Sequence, residues 1–166
     1  MAVYNVHERL LPVEQAEVAS LVDGLASDND WLWPHGLWPA IRFDRPLGVG
    51  AVGGHGPIGY TVHAYVAGCW ARFTFTAPRG LHGFHEFTVH TAEGGGTLLR
   101  HTMVMRTRGL ARFTWPVIFR PLHDALLEDS LDRAERVLTA TVVRPSCWSR
   151  YVRLLRWLAT RRERNW

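Results

Sequence analysis

The residues able to do chemistry in this chain are mostly histidines. His85 and His101 fall in alternating segments on the same side as Phe87, Val89, Leu99 and Met103, the side expected to face inward. A neutral imidazole in an apolar pocket can hydrogen-bond a ligand carbonyl or phenol, or move a proton near neutral pH. The bland alternative is a core histidine bonded to a neighbour. A register slip of one residue would turn both rings to solvent. If both face inward on paired strands, they are diagonal or further apart, depending on the joining loop. His123 stands beside Asp124 at the start of a long helical pattern and shares a stripe with Leu127, Ser130 and Ala134. It either looks into a cavity mouth or forms a surface pair with Asp124, which the helix dipole favours at that end. His85, His101 and His123 are the candidate acid/base residues.

Other chemistries have weaker support. His82, His85 and Glu86 invite a metal reading, but this is not HExxH on a helix, and positions 82 and 85 of a strand point to opposite sides. No metal site is expected. Gly53, Gly54 and Gly56 match neither a P-loop nor GxGxxG, and no helix follows them. They read as bulge and turn positions, and no cofactor is expected. No Ser/His/Asp order or paired-carboxylate motif stands out. Cys69 and Cys147 lie far apart with no CxxC spacing, so a reducing, cytoplasmic setting is the default. Residues 1–8 lack a basic n-region and an apolar h-region, so no signal peptide is expected. No apolar run approaches the ~18 residues of a membrane span.

The 166 residues suit one domain, and 47% hydrophobic content can supply a core, which excludes a disordered chain. The formal charge is +4 and every cation is Arg. Residues 1–143 carry 12 Arg and 14 acids, a net −2, whereas residues 144–166 carry seven Arg and one acid, a net +6. A nucleic-acid reader usually has its basic patch on the folded body, so nucleic acid is not the expected partner of this body. The division expected is a domain over 1–143 and a basic tail over 144–166.

The elements that must position the histidines follow from periodicity. Residues 3–11 alternate, with Tyr4, Val6 and Leu10 on one face and Asn5, His7 and Arg9 on the other, a strand with one buried face. Val18, Leu21, Val22 and Leu25 mark a helix, and Asp28-Asn29-Asp30 predicts the cap of a second short helix through Trp33, stopped by Pro34. Strands follow at 58–66, 69–77, 84–92 and 98–107, the last two joined by a Gly-rich hairpin loop. The first of these places Ile58, Tyr60, Val62, Ala64 and Val66 on one face. After Pro116 the period becomes helical to about Thr139, with Glu128, Asp129, Asp132 and Glu135 among the residues of the opposite side. Arg120 and Glu128 could pair across the helix–sheet boundary. Layer logic makes this α+β, a curled antiparallel sheet wrapped on one long helix.

With these elements in place, the chain resembles the START/SRPBCC superfamily, including polyketide cyclase/dehydrase and lipid-transport types, over about residues 3–140. The resemblance rests on the element order and on Trp31-Leu32-Trp33-Pro34 and His55-Gly56-Pro57-Ile58-Gly59-Tyr60. It rests also on Gly80-Leu81-His82-Gly83-Phe84-His85-Glu86-Phe87 and on the run from Trp115-Pro116-Val117-Ile118-Phe119 to Asp129, which look like a bacterial single-domain branch. It implies a helix-grip fold and a deep, mostly apolar cavity between sheet and closing helix for a small or elongated hydrophobic ligand. Expected lining is Tyr60, Phe73, Phe75, His85, Phe87, His101, Met103 and Met105 from the sheet, with Phe119, Leu122 and Leu126 from the helix.

The tail is a further basic helix. Trp148, Tyr151, Val152, Leu155, Leu158 and Ala159 form one stripe, with Arg150, Arg153, Arg161 and Arg164 opposite and Leu154 and Trp157 outside it. It either packs on its own domain, docks on an anionic membrane surface or takes a macromolecular partner. Three functions are therefore carried forward: hydrophobic-ligand binding, a cyclase- or dehydratase-like enzyme using pocket histidines, and an interaction module acting through the tail. A monomer or homodimer is expected in each case.

Overall fold

A computed structural model describes residues 1–163. Arg164, expected on the polar side of the tail, lies outside the described residues. The strands are β1 (Ala2–Leu11), β2 (Arg42–Phe43), β3 (Val52–His55), β4 (Ile58–Val66), β5 (Trp70–Ala77), β6 (Leu81–Thr91) and β7 (Thr97–Thr107). They form one antiparallel sheet in the order β1-β7-β6-β5-β4-β3-β2. Helix α1 (Gln15–Asp23) follows β1. A single turn α2 (Ala111–Thr114) runs through a π-turn (Trp115–Phe119) into the long α3 (Arg120–Thr139), and α4 (Arg150–Glu163) ends the described chain. The fold is the expected α+β helix grip, a curved sheet closed by a long helix.

Two buried clusters hold it. The larger joins α1 and the middle of the sheet to α3 through Leu11, Val18, Val22, Leu99, Phe73 and Leu131. The smaller gathers Leu81, Met103, Met105, Ala111 and Trp115 around α2 and the π-turn. Each fully buried aliphatic side chain of this kind contributes about 1.5–3 kcal/mol from water exclusion.

Four expectations need correction. The buried face of β1 is its polar one. Tyr4 and Leu10 are 76% and 59% exposed, while Arg9 points at α3 and meets Glu128, Asp132 and Glu135. The acids placed on the outer side of α3 therefore include two, Asp132 and Glu135, that are buried against β1. Charge complementarity between an edge strand and the closing helix has reversed the usual apolar-in rule. Glu128 correspondingly pairs with His7 and Arg9, while Arg120 lies 3.6 Å from Asp124.

The second short helix is instead a series of turns. Asp30 does cap, accepting bonds from the Leu32 and Trp33 amides at 3.0 and 2.8 Å, but Pro34 stops the chain before a helical turn closes. Gly53 and Gly54 do not separate strands; they lie within β3. A Cβ on Gly53 would sit 1.9 Å from the Arg42 carbonyl oxygen, so only glycine lets β2 approach. Finally, a bulge between Val62 and Ala64 turns β4 over. Val66 becomes 51% exposed and leaves the face of Tyr60, while the Tyr65 hydroxyl reaches Asp23 at 3.0 Å.

The tail packs on the domain. Trp148 and Trp38 both donate their indole N–H to Asp129 of α3, at 2.8 and 2.7 Å. The Ser146 amide reaches Asp132 at 2.6 Å, and Arg156 stacks 4.5 Å over Trp38. No helix among the described residues is long and apolar enough to cross a membrane.

Candidate ligand cavity

Between the sheet and α3 lies a cavity of about 620 Å³. The inner faces of β5, β6 and β7 supply Phe73, Phe75, His85, Phe87, His101 and Met103, and the π-turn and α3 supply Phe119, Leu122, His123 and Leu126. Two of the expected lining residues stand elsewhere. Tyr60 is fully buried behind the wall, edge-on to His85 with ring centres 4.8 Å apart, and Met105 belongs to the smaller core cluster. Further walls come from Leu25, Trp33, Trp38, Ile41, His55, Trp115 and Ile118. Most of these lie in irregular segments, where no periodicity says which way a side chain faces.

The strand register brings the histidines together. Phe87 opposes His101 and His85 opposes Met103, so the two histidines are diagonal neighbours. His85 Nδ1 and His101 Nε2 are 3.2 Å apart, close enough for one ring to donate to the other. His123 continues the row, its ring centre 5.3 Å from that of His101. The row ends at His7, 5.8 Å from His123. His7 is not among the sequence candidates; its position on the polar side of β1 is the signal that points to it.

Burial sets the charge along this row. Desolvation pushes the pKa of His85, His101 and His123 below the ordinary imidazole range, and neighbouring histidines add to the effect. Desolvation likewise takes His55 down to about 3. All four rings are neutral at pH 7. His7 is the opposite case. Burial lowers its pKa, but hydrogen bonds to Asp124 and Glu128 outweigh that and raise it to about 9. Burial acts to raise the Asp124 carboxyl, yet His123 and His7 together hold it well below the usual carboxylate range.

His7, His123 and Asp124 bring ligand-type atoms within 4.8 Å of one another. Both nitrogens of His7 are already engaged, Nδ1 with Glu128 at 2.7 Å and Nε2 with Asp124 at 3.2 Å. A protonated imidazole donating from both nitrogens has no lone pair for a metal, so the cluster is an ion-pair anchor between β1 and α3. His82 is exposed, and Glu86 bonds Trp70 and Arg72 at 2.7 and 2.8 Å on the outer face of the sheet. Those two residues do not join His85.

Inside the cavity wall, His85 Nε2, His101 Nδ1 and His123 Nε2 are buried without a hydrogen-bond partner, as is the Tyr60 hydroxyl behind it. A buried polar atom left unpaired costs about 1–3 kcal/mol. Three such atoms on residues lining one apolar cavity are therefore a chemical feature of the site.

No family model matches the chain, and no curated protein does. Solved structures do. Norcoclaurine synthase from Thalictrum flavum matches with a TM-score of 0.63 at 12% identity, over 82% of this chain and 86% of that one. Ara h 8.0201 matches with a TM-score of 0.59 at 17% identity, over 85% of this chain and all of the other. An uncharacterised protein from Rhizobium leguminosarum matches with a TM-score of 0.57 at 19% identity, over 84% and 96%. At these identities the likeness is one of architecture. The curved sheet and long closing helix over a cavity, together with these neighbours, identify the fold as a helix grip, the architecture that the resemblance to START/SRPBCC proteins implies.

Proposed function

We propose that this domain binds a small hydrophobic ligand, lipid-like or aromatic and polyketide-like, that carries a few hydrogen-bonding groups. The observation that carries this is the 620 Å³ cavity whose mostly apolar wall includes three unpartnered imidazole nitrogens. A wholly hydrocarbon ligand would leave those atoms unpaired; one with a carbonyl or hydroxyl would satisfy them. Neutral rings can donate or accept, because the tautomer adapts to the ligand. Phe73, Phe75, Phe87 and Met103 would take the apolar part. Displacement of a fluorescent hydrophobic probe tests the reading. The wild type is expected to bind the probe, and Leu122→Trp, which fills the cavity, to bind it at least about tenfold more weakly with its melting temperature kept. Equal probe binding by both would defeat the proposal.

A second reading has one observation in its favour. His123 lines the cavity while its Nδ1 stands 3.5 Å from Asp124, a ring with a carboxylate behind it. That arrangement suits proton transfer to or from a bound substrate, as in a cyclase- or dehydratase-like reaction with His85, His101 or His123 as acid/base. Turnover that survives in His85→Ala, His101→Ala and His123→Ala alike would eliminate it.

A further inference from the structure

The cavity lining reaches solvent at Pro57, Ile118 and Ala159, the exposed members of its wall. Two of these three sit on neighbouring elements, the π-turn and α4, which are tied together where Tyr151 Oη donates to the Val117 carbonyl at 2.7 Å. Pro121 has no N–H to offer that oxygen at the α-helical spacing, so the tail hydroxyl takes the role. Both elements, and the run through α2 that leads into the π-turn, expose large apolar side chains. Leu110 and Phe113 are 76% and 71% exposed, and Val117 and Ile118 follow along the same run. On α4, Val152 is buried against the domain, while Leu154, Trp157 and Leu158 are about half exposed.

The charge exposed along these two runs is mostly arginine. Arg106, Arg108 and Arg112 before the π-turn and Arg144, Arg150, Arg153 and Arg161 in the tail are exposed, while Arg120 lies 3.6 Å from Asp124 and Arg156 turns inward over Trp38. Arg161 lies 3.9 Å over the Trp157 ring, so cation and aromatic present together. A protein surface evolved only for water would not combine exposed Phe, Trp and Leu with so many exposed arginines. An interface between two copies of this chain would set like charge against like charge. We infer that the π-turn region and α4 together form a docking surface for an anionic lipid bilayer, which places the opening of the cavity at the membrane. Phe113, Trp157 and Leu158 enter the interfacial layer, and the flanking arginines meet lipid phosphates. The surface is a composite of two elements, not a property of the tail alone.

The test is co-sedimentation of the full chain with vesicles of neutral phosphatidylcholine, with and without about one-third phosphatidylglycerol as the anionic lipid. Binding is expected to the anionic vesicles, at least tenfold weaker to neutral ones, and weakened by salt. Phe113→Ser, remote from the tail in sequence, is expected to lose binding at least fivefold, as is Trp157→Ser. Both variants should keep the wild-type melting temperature, because each side chain is exposed. Equal binding to both vesicle types, no binding to either, full binding by Phe113→Ser, or a concentration-dependent dimer abolished by that substitution would each overturn the inference. Probe binding in the cavity, measured on the same proteins, reports on the ligand reading separately and is expected to be unchanged in both variants.

Discussion

At the residue scale, His7 and Arg9 show how a strand can be held by its polar face. His7 donates to Asp124 and Glu128, and Arg9 meets Glu128, Asp132 and Glu135. Removing the guanidinium would leave three carboxylates together, two of them buried. Arg9→Met is expected to cost about 3–5 kcal/mol in urea unfolding; a loss under 1 kcal/mol would show that the cluster is solvated. His7 adds a pH signature. Its folded pKa is raised to about 9 from 6.5, so the folded state holds a proton that the unfolded chain releases between those values. Its contribution is complete below pH 6.5 and is lost as pH rises through 9. Allowing for screening at a half-buried site, that is about 1–2 kcal/mol. The melting temperature of the wild type should decline from pH 7 to 10, while that of His7→Phe stays nearly flat in that range.

At the element scale, Asp129 governs the placing of the tail. Its carboxylate accepts the indole N–H of Trp38 from the turn region and of Trp148 from the tail, and the Ser146 hydroxyl lies 3.3 Å away. One side chain of α3 thus fastens two irregular segments, the first of which lines the cavity through Trp38. Asp129→Ala leaves two indole donors unpaired and is expected to cost about 1–3 kcal/mol. Its clearer readout is limited proteolysis, with cleavage after the arginines of residues 144–161 at least several-fold faster than in the wild type. Unchanged cleavage would mean that Val152 and the Arg156 stack hold α4 without it. The helix-forming stripe of the tail was legible in sequence. That Leu158 stays outside while Val152 and Arg156 turn inward was not, since only the partner surface chooses the buried arc of a short amphipathic helix.

At the scale of the whole molecule, four neutral imidazoles, two buried and two half-buried, bear on acid stability. His55, His85, His101 and His123 all have depressed pKa values, with desolvation the leading cause in each. Unfolding frees them to take protons, so stability is present above the ordinary imidazole pKa and is lost as pH falls below 6.5. Each contributes up to about 1.4 kcal/mol of loss per pH unit. The urea midpoint should fall steeply from pH 6.5 to 5, and His101→Leu should take about one proton off that slope. A midpoint independent of pH across this window would mean that the rings titrate freely and that water fills the cavity.

Most of the element order, strands β1 and β4 to β7, the long closing helix and the inward side of His85 and His101 followed from sequence, because period-2 and 3.6-residue patterns are local. The resemblance to the helix-grip architecture followed from that order and a few short segments. Other features depended on contacts between distant residues. β1 presents its polar face inward only because acids some 120 positions later line α3 opposite it. The bulge after Val62 turns β4 over through pairing geometry, not composition. Trp33, Trp38 and His55 reach the cavity from turns and a short glycine-rich strand, where no period reports direction. The tertiary structure alone decided that His7, His123, His101 and His85 form one row, charged at its β1 end and neutral within the cavity. Burial and ion pairing set those charges, and neither exists until the chain is folded.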